Sequence, residues 1–231
     1  MQAVILAGGL GTRLRPITLE IPKPMVPING KPYLHYQLEM LQKYNITDIL
    51  ILAGHLGHKI EEYFKNGKNF GINIRYVFEK DLLGTGGSIK NAERFLEDNF
   101  FIINGDSYLP INYLCLIDIF YTSGKTGLIV VYDNKQEDTQ VINNISIDEN
   151  SIVIKYKKNS QDIDLKYVDA GVSIFKKEVL KLIPENKKIS LEEEIFPKLI
   201  KEHQLIAYIT TQRFYDIGTP ERIDMIRGIL K

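Results

Sequence analysis

Short apolar runs alternate with segments of helical spacing along this chain. That alternation predicts an α/β fold, a mostly parallel sheet with helices on both faces. The runs are nearly continuous in apolar residues, as strands buried on both faces are. The length of 231 residues suits one large domain, or a domain with an insert, at about 150 residues per domain. Hydrophobic residues make up 44% and charged residues 25%. Both values are ordinary for a globular protein and exclude a disordered chain, a fibre or a disulfide scaffold.

The elements follow in order. Ala3–Leu6 (AVIL) reads as a buried strand that runs into a glycine-rich turn. Five of the nine prolines then fall at positions 16, 22, 24, 27 and 32. Proline removes an amide donor and disfavours helix in the residue before it, so residues 16–31 are expected to be an extended, stiff loop. Pro32–Tyr44 is expected to be a helix, Asp48–Ala53 a strand, Leu56–Phe64 a helix and Asn73–Phe78 a strand. Next come a helix over about Ser88–Leu96 and a strand at Phe100–Asn104. Cys115 lies in the apolar stretch Leu114–Phe120, and a buried structural thiol is expected there. As a single cysteine it excludes an internal disulfide and a multi-cysteine zinc site. Gly127–Tyr132, Ile152–Tyr156, Val168–Phe175 and Leu205–Thr210 complete the strands, with Asp133–Asp148 polar and strand-like. Residues 126–175 are expected to form an antiparallel-containing insert. Thr219 and Pro220 have the character of an N-cap and first residue for a last helix.

Lys+Arg and Asp+Glu each number 29, so no net charge draws the chain to nucleic acid or anionic membrane. No apolar run approaches the ~20 residues of a membrane span, and the N-terminus lacks a signal-peptide pattern. The expectation is a cytoplasmic enzyme-sized domain.

Chemistry concentrates at strand ends. In a parallel sheet, ligands bind beyond the carboxyl ends of the strands. After the first strand stands Gly8-Gly9-Leu10-Gly11-Thr12-Arg13, whose glycines admit close backbone approach and whose amides can wrap phosphates. A glycine-rich turn alone is also compatible with a bare loop. A dinucleotide site is disfavoured because Arg13, Arg15 and Pro16 follow where a helix should open, and the P-loop spacing is absent. Lys23 stands between Pro22 and Pro24, which leaves its backbone few alternatives and pre-orients an ammonium. Read alone, it is equally a surface lysine in a stiff loop. Asn104-Gly105-Asp106 follows a buried strand, so Asp106 is expected at the same sheet edge as Gly8–Arg13. Asp216 precedes the last helix without being its cap.

GGLGTRLRPIT followed by IPKPMVPINGKP resembles the sugar-1-phosphate nucleotidyltransferases, in their single-domain form. EKDLLGTGGSIKNA (79–92), INGDSYL (103–109), VDAGVSIF (168–175) and FYDIGTPER (214–222) extend the resemblance over nearly the whole chain. It implies a Rossmann-like three-layer αβα fold with a mixed, mostly parallel sheet and a small antiparallel sugar-binding insert. Residues 1–125 would serve mainly the nucleotide, and 126–231 mainly the sugar, in one catalytic domain. By position, Leu6, Ala7, Gly8 and Gly9 would line the base and ribose. Gly11, Thr12 and Arg13 would hold the triphosphate. Glu79, Gly84 and Thr85, with Gly86 and Gly87, would complete the base pocket. Lys23 would reach the α-phosphate and the sugar phosphate, and Asn104, Lys158, Asp169 and Gly171 would serve the acceptor. Asp106 and Asp216 would hold Mg²⁺. Where many family members carry Glu-Lys-Pro, this chain has Lys155-Tyr156-Lys157-Lys158-Asn159, so Lys157 and Lys158 both compete for the phosphate-lysine role.

The implied reaction is Mg-dependent transfer of a nucleoside monophosphate from an NTP to a sugar 1-phosphate, releasing pyrophosphate. A phosphate monoester is largely dianionic at neutral pH, so no general base is expected, and no histidine is assigned to the chemistry. Glu79 ahead of Gly84-Thr85-Gly86-Gly87 is similar to the guanylyl branch and places GTP first. UTP, CTP or dTTP, a non-sugar acceptor such as phosphocholine, and a non-catalytic nucleotide-sugar sensor are the alternatives. Family members are often dimers or tetramers, so the resemblance admits a homo-oligomer.

Overall fold

The computed structural model describes residues 1–230. In chain order the main elements are β1 (Gln2–Ala7), α1 (Tyr33–Lys43), β2 (Asp48–Ala53), α2 (Gly57–Phe64), β3 (Asn73–Phe78), α3 (Gly84–Asn91), β4 (Asn99–Asn104) and β5 (Ser107–Tyr108). There follow α4 (Tyr113–Ser123), β6 (Gly127–Tyr132), β7 (Ile145–Ile147), β8 (Val153–Tyr156), β9 (Val168–Lys176), α5 (Phe196–Lys201), β10 (Leu205–Thr210), β11 (Tyr215–Asp216) and α6 (Pro220–Arg227). Seven strands hydrogen-bond in the order β10-β6-β9-β4-β1-β2-β3. The β1–β2, β2–β3 and β6–β10 pairs are parallel, and β9 runs antiparallel to β6. This is the mixed, mostly parallel sheet the sequence predicts. Among the described residues no helix is long and apolar enough to cross a membrane.

The chain divides into two compact units. The first comprises residues 1–82, 103–108 and Tyr215 onward. Ala7, Ala53 and Phe78 stand in register at the carboxyl ends of β1, β2 and β3. The loops that leave them therefore start from one edge. Val4, Ile5 and Ile49–Leu52 are fully buried, which is why these strands read as apolar runs rather than alternating ones. A second cluster packs Leu14, Val26, Ile28, Tyr33 and Tyr36 against Ile217, Ile223, Ile226 and Leu230. The last helix thus fastens the proline-rich loop, and the Asn29 side-chain amide donates to the carbonyls of Arg227 (2.8 Å) and Leu230 (2.5 Å).

The second unit comprises residues 83–102 and 109–214. Its β6–β9 ladder pairs Asp169 with Val131, then slips before Ser173 meets Ile129. Gly171 (φ 76°) lies in that slip. A bulge of this kind re-aims the side chains beside it. β7 and β8 form a small antiparallel pair, and Tyr156 at its end packs edge-on to Phe196, 5.2 Å between ring centroids.

Four expectations are corrected. The 16–31 loop is not simply extended: Ile17–Glu20 and Lys23–Met25 make short helical turns, and Pro27–Ile28 pairs with Lys31–Pro32. Prolines fix φ near the helical value as readily as the extended one. Asp133–Asn144 is loop, not strand, with Asn134 bonding Val141, Asn143 and Thr139. Side-chain bonds to nearby backbone compete there with a ladder. Helix α3 starts at Gly84, four residues early, and its glycines had masked the start. Cys115 is exposed, because α4 buries Tyr113, Leu116 and Phe120 and turns Cys115 away.

Candidate active site

In the first unit, a series of close approaches draws the sequence-predicted residues together. A Cβ built on Gly8 would stand 3.3 Å from Glu79 Oε1, and the Glu79 amide donates to Ala53 O at 2.9 Å. Glu79 therefore leaves β3 directly beside the glycine turn that leaves β1. Gly11 adopts φ 61°, and a Cβ there would lie 2.8 Å from Thr18 Cγ2 and 3.4 Å from Lys23 Cβ. Only glycine fits both that backbone and that space. The Thr18 hydroxyl donates to Gly11 O at 2.8 Å, tying the turn to the loop that carries Lys23.

Lys23 is the pivot. Its side chain is 13% exposed and its ammonium forms an ion pair with Asp106. Asp106 sits between β4 and β5, and β5 pairs antiparallel with β11, Asp216 opposite Ser107. The Ile217 amide donates to Asp106 O at 3.2 Å. The two aspartates, 110 positions apart in sequence, are thus neighbours across one short ladder. Asp216 accepts from the Gly218 amide (2.7 Å) and from Arg222 (2.5 Å). A Cβ on Gly218 would lie 2.6 Å from Asp216 Oδ1 and 3.5 Å from Arg13 Nη2, so the Arg13 guanidinium stands beside the same glycine. Arg13 itself is exposed.

Helix α1 braces this arrangement. The Tyr33 hydroxyl lies 3.1 Å from Asp106 O and 3.3 Å from Tyr215 O, and Gln37 Nε2 donates to Asn104 O (2.9 Å) and Ser107 O (2.5 Å). Tyr33, Gln37 and Arg222 were not legible as site residues, because each acts on backbone or on a charge that only the fold brings near. Two hard carboxylates, Asp216 on β11 and Asp106 just before β5, are donors of the kind that suits Mg²⁺. Among the described residues no group of three or more His, Cys, Asp or Glu gathers to hold a metal, so the rest of such a shell would come from substrate.

The second unit holds another cluster. Asp169 accepts from the Gly171 amide (2.8 Å) and the Tyr156 hydroxyl (3.0 Å). Burial pushes its carboxyl up to about 6, and the charge of Glu192 adds to that rise. Tyr156 is raised far above the phenol range, first by burial, then by Asp169 and Glu192. The lysines differ in their partners: Lys155 and Lys157 pair with Asp162 at 2.7 and 3.4 Å, while Lys158 stands 3.5 Å from Glu192 and its charge acts on Asp169. The Thr85 hydroxyl donates to Glu192 (2.8 Å) and accepts from the Leu191 amide (2.9 Å). The start of α3 is also held by Gly86 N donating to Ile189 O at 2.8 Å. Glu192 and Tyr156 were missed in the sequence. Ser190 and Glu193 stand at capping-box spacing, and the acidic run 192–194 reads as ordinary helix-start charge.

Residues 2–226 match the family model described as nucleotidyl transferase. The chain is 34% identical to the D-glycero-alpha-D-manno-heptose 1-phosphate guanylyltransferase of Campylobacter jejuni, covering 96% of each. It is 31% identical to the UTP–glucose-1-phosphate uridylyltransferase of Synechocystis, where it spans all of this chain but 63% of the relative. HddC from Yersinia pseudotuberculosis, solved in complex with GMP-PN, superposes with a TM-score of 0.83 at 29% identity, covering 100% and 99% of the two chains.

Proposed function

This chain belongs to the nucleotidyl transferase family, and on that premise we propose that it transfers a nucleoside monophosphate from an NTP to a sugar 1-phosphate. The products are pyrophosphate and an NDP-sugar, with GTP the favoured donor. The observation that carries this reading is the meeting of Arg13, Lys23, Asp106 and Asp216 beside the glycine turn of β1. A bare turn needs no such set, and a sensor has no use for two cations and two carboxylates gathered beside it.

The chemistry is charge management. An oxygen of the acceptor phosphate attacks the α-phosphorus, the bond from that phosphorus to the β-phosphate oxygen breaks, and pyrophosphate leaves with the electron pair. The dianionic acceptor is its own nucleophile. What the protein supplies is position and neutralisation. The exposed Arg13 receives the departing pyrophosphate with planar donors. Lys23, now paired with Asp106, turns its ammonium to the α-phosphate and the incoming phosphate. Gly8, Gly9, Gly11 and Thr12 offer backbone to the triphosphate. Asp106 and Asp216 would hold Mg²⁺, which supplies charge neutralisation at the phosphates when bound.

Base preference rests on Glu79, whose carboxylate lies at the Gly8 turn where it can accept from guanine N1–H and N2–H. The guanylyltransferase relative and the GMP-PN complex agree with that choice. In the second unit, Lys158 serves the acceptor phosphate, with Asp169 and Gly171 on its sugar. These substrates are cytoplasmic metabolites, which is where this reading places the chain. The test is pyrophosphate release over a grid of NTPs and sugar 1-phosphates. Release requiring both substrates, and largest with GTP, is expected. Silence across the grid, or release with phosphocholine alone, overturns the proposal.

A further inference from the structure

We propose that Glu192 reads the acceptor: Oε2 orients Lys158 for the acceptor's phosphate, and Oε1 takes a hydroxyl of the group that phosphate is attached to. This rests on the reaction proposed above and adds a specificity residue to it.

The side-chain partners of Glu192 all lie on one oxygen. The hydroxyls of Thr85 and Ser190 each donate to Oε2 at 2.8 Å, and Lys158 Nζ stands 3.5 Å from the same oxygen. A carboxylate has about four acceptor positions shared over two oxygens. With these three partners on Oε2, Oε1 keeps capacity for a donor. A hydroxyl is the neutral donor an acceptor sugar presents. The side chain is only 13% exposed, so a ligand hydroxyl meets a largely desolvated carboxylate there.

The surroundings argue against a merely structural clamp. Burial pushes the Glu192 carboxyl up, and Lys158, its own amide, Thr85 and Ser190 more than reverse this, so it is held below the usual range and stays charged. Its charge in turn bears on Asp169 and Tyr156. A glutamine would join Thr85 to the 189–191 segment without that repulsion. Keeping two carboxylates and a phenol together beside one lysine stores electrostatic cost, as binding sites do. Lys158 is also the right kind of partner. At 3.5 Å it is oriented without a close hydrogen bond, so a phosphate can take it without first breaking a tight pair. Lys155 and Lys157 are committed to Asp162 instead.

The local backbone explains how Glu192 comes to point this way. Leu191–Ile195 forms a single π turn, with Leu191 and Ile195 buried. The wider turn lets both apolar residues stay in the core while Glu192 turns back to Thr85. Such turns inside helices recur at functional sites. Thr85 fixes the geometry from the other side, since its hydroxyl both donates to Glu192 and accepts from Leu191 N.

The experiment is steady-state kinetics of Glu192→Gln with GTP and a set of sugar 1-phosphates that includes single-deoxy analogues. The amide keeps the size and an acceptor for Thr85 and Ser190. The acceptor KM should rise about tenfold or more, the worth of a hydrogen bond to a charged group, while the GTP KM stays within about twofold. Wild type should reject one deoxy analogue by a similar factor, and the variant should no longer distinguish it. Equal rises in both KM values, or unchanged discrimination, would overturn the inference. If Glu192→Gln does not fold, Ser190→Ala is the second variant: loss of one grip on Oε2 should raise the acceptor KM severalfold with GTP unaffected, and a change in neither KM is the contrary result. An active wild type with an unaltered variant refutes the role of Glu192 alone. A wild type silent toward every acceptor refutes the reaction and this inference with it.

Discussion

Replacing Asp169 by Asn should stabilise the folded chain while weakening acceptor binding. The carboxylate is pushed from 3.8 to about 6, chiefly by burial and further by Glu192, with the bonds from Gly171 and Tyr156 and the charge of Lys158 offsetting only part. The folded pKa lies above the unfolded one, so the folded chain binds this proton more tightly. Its contribution is therefore most favourable below about pH 4, is lost as the pH rises from about 4 to about 6, and stays lost above that. At about 1.4 kcal/mol per pH unit, the ionised group costs roughly 3 kcal/mol at pH 7.5. Asparagine removes the charge, still accepts from the Gly171 amide, and can turn its NH₂ to the Tyr156 oxygen. Urea unfolding at pH 7.5 should show the variant more stable by up to about 3 kcal/mol, with the gap narrowing below pH 6 and absent near pH 4. The acceptor KM should rise in the same protein, a trade between stability and function. A variant less stable than wild type at pH 7.5, or a difference that does not change with pH, would refute the argument.

Other substitutions separate the remaining roles. Arg13→Ala should leave the unfolding midpoint unchanged, since Arg13 is exposed. It should lower kcat/KM by a factor on the order of 10² or more, the loss of one donor to a charge that develops in the transition state; activity within threefold of wild type would refute it. Lys23→Ala and Lys158→Ala should both raise the acceptor KM, Lys23→Ala more severely, while Lys157→Ala stays silent because that lysine faces Asp162; the opposite order for 157 and 158 would mean the inner lysine is misassigned. Asp106→Asn and Asp216→Asn should each cause a large loss of an EDTA-sensitive activity, and the double variant should be scarcely worse than either, since both act on one ion. Losses that multiply would mean the two carboxylates work apart.

Much of this was legible in the chain itself. Apolar runs locate β1, β2 and β4 to within a residue or two, because strands buried on both faces leave a continuous signal; β3 was legible too, although as the edge strand it buries only Ile74 fully. The glycine turn, the lysine between prolines and both aspartates stand in the motifs that carry the family resemblance, and the fold brings them together. The start of α3 was not legible, because Gly84-Thr85-Gly86-Gly87 has poor helix propensity and is held helical by the Ile189 carbonyl, a partner about a hundred residues away. Cys115 failed for another reason: α4 is apolar nearly all round, so composition does not say which side is buried. Glu192 and Tyr156 escaped because their meaning lies in what surrounds them. Nothing in Ser190-Leu191-Glu192 announces that a hydroxyl from position 85 and a lysine from position 158 will close on one carboxylate oxygen.

The central claim is that an acceptor phosphate oxygen attacks the α-phosphorus of an NTP. Sugar 1-phosphate labelled with ¹⁸O in its phosphate, turned over with GTP and Mg²⁺, tests this directly by mass spectrometry of the products. The account predicts all of the label in the NDP-sugar, including the oxygen that bridges the two phosphorus atoms, and none in the pyrophosphate. A sugar 1-diphosphate carrying the label, with GDP as the other product, would place the attack on a different phosphorus; label in free phosphate or in pyrophosphate would mean that the acceptor had lost its phosphate; either result contradicts it.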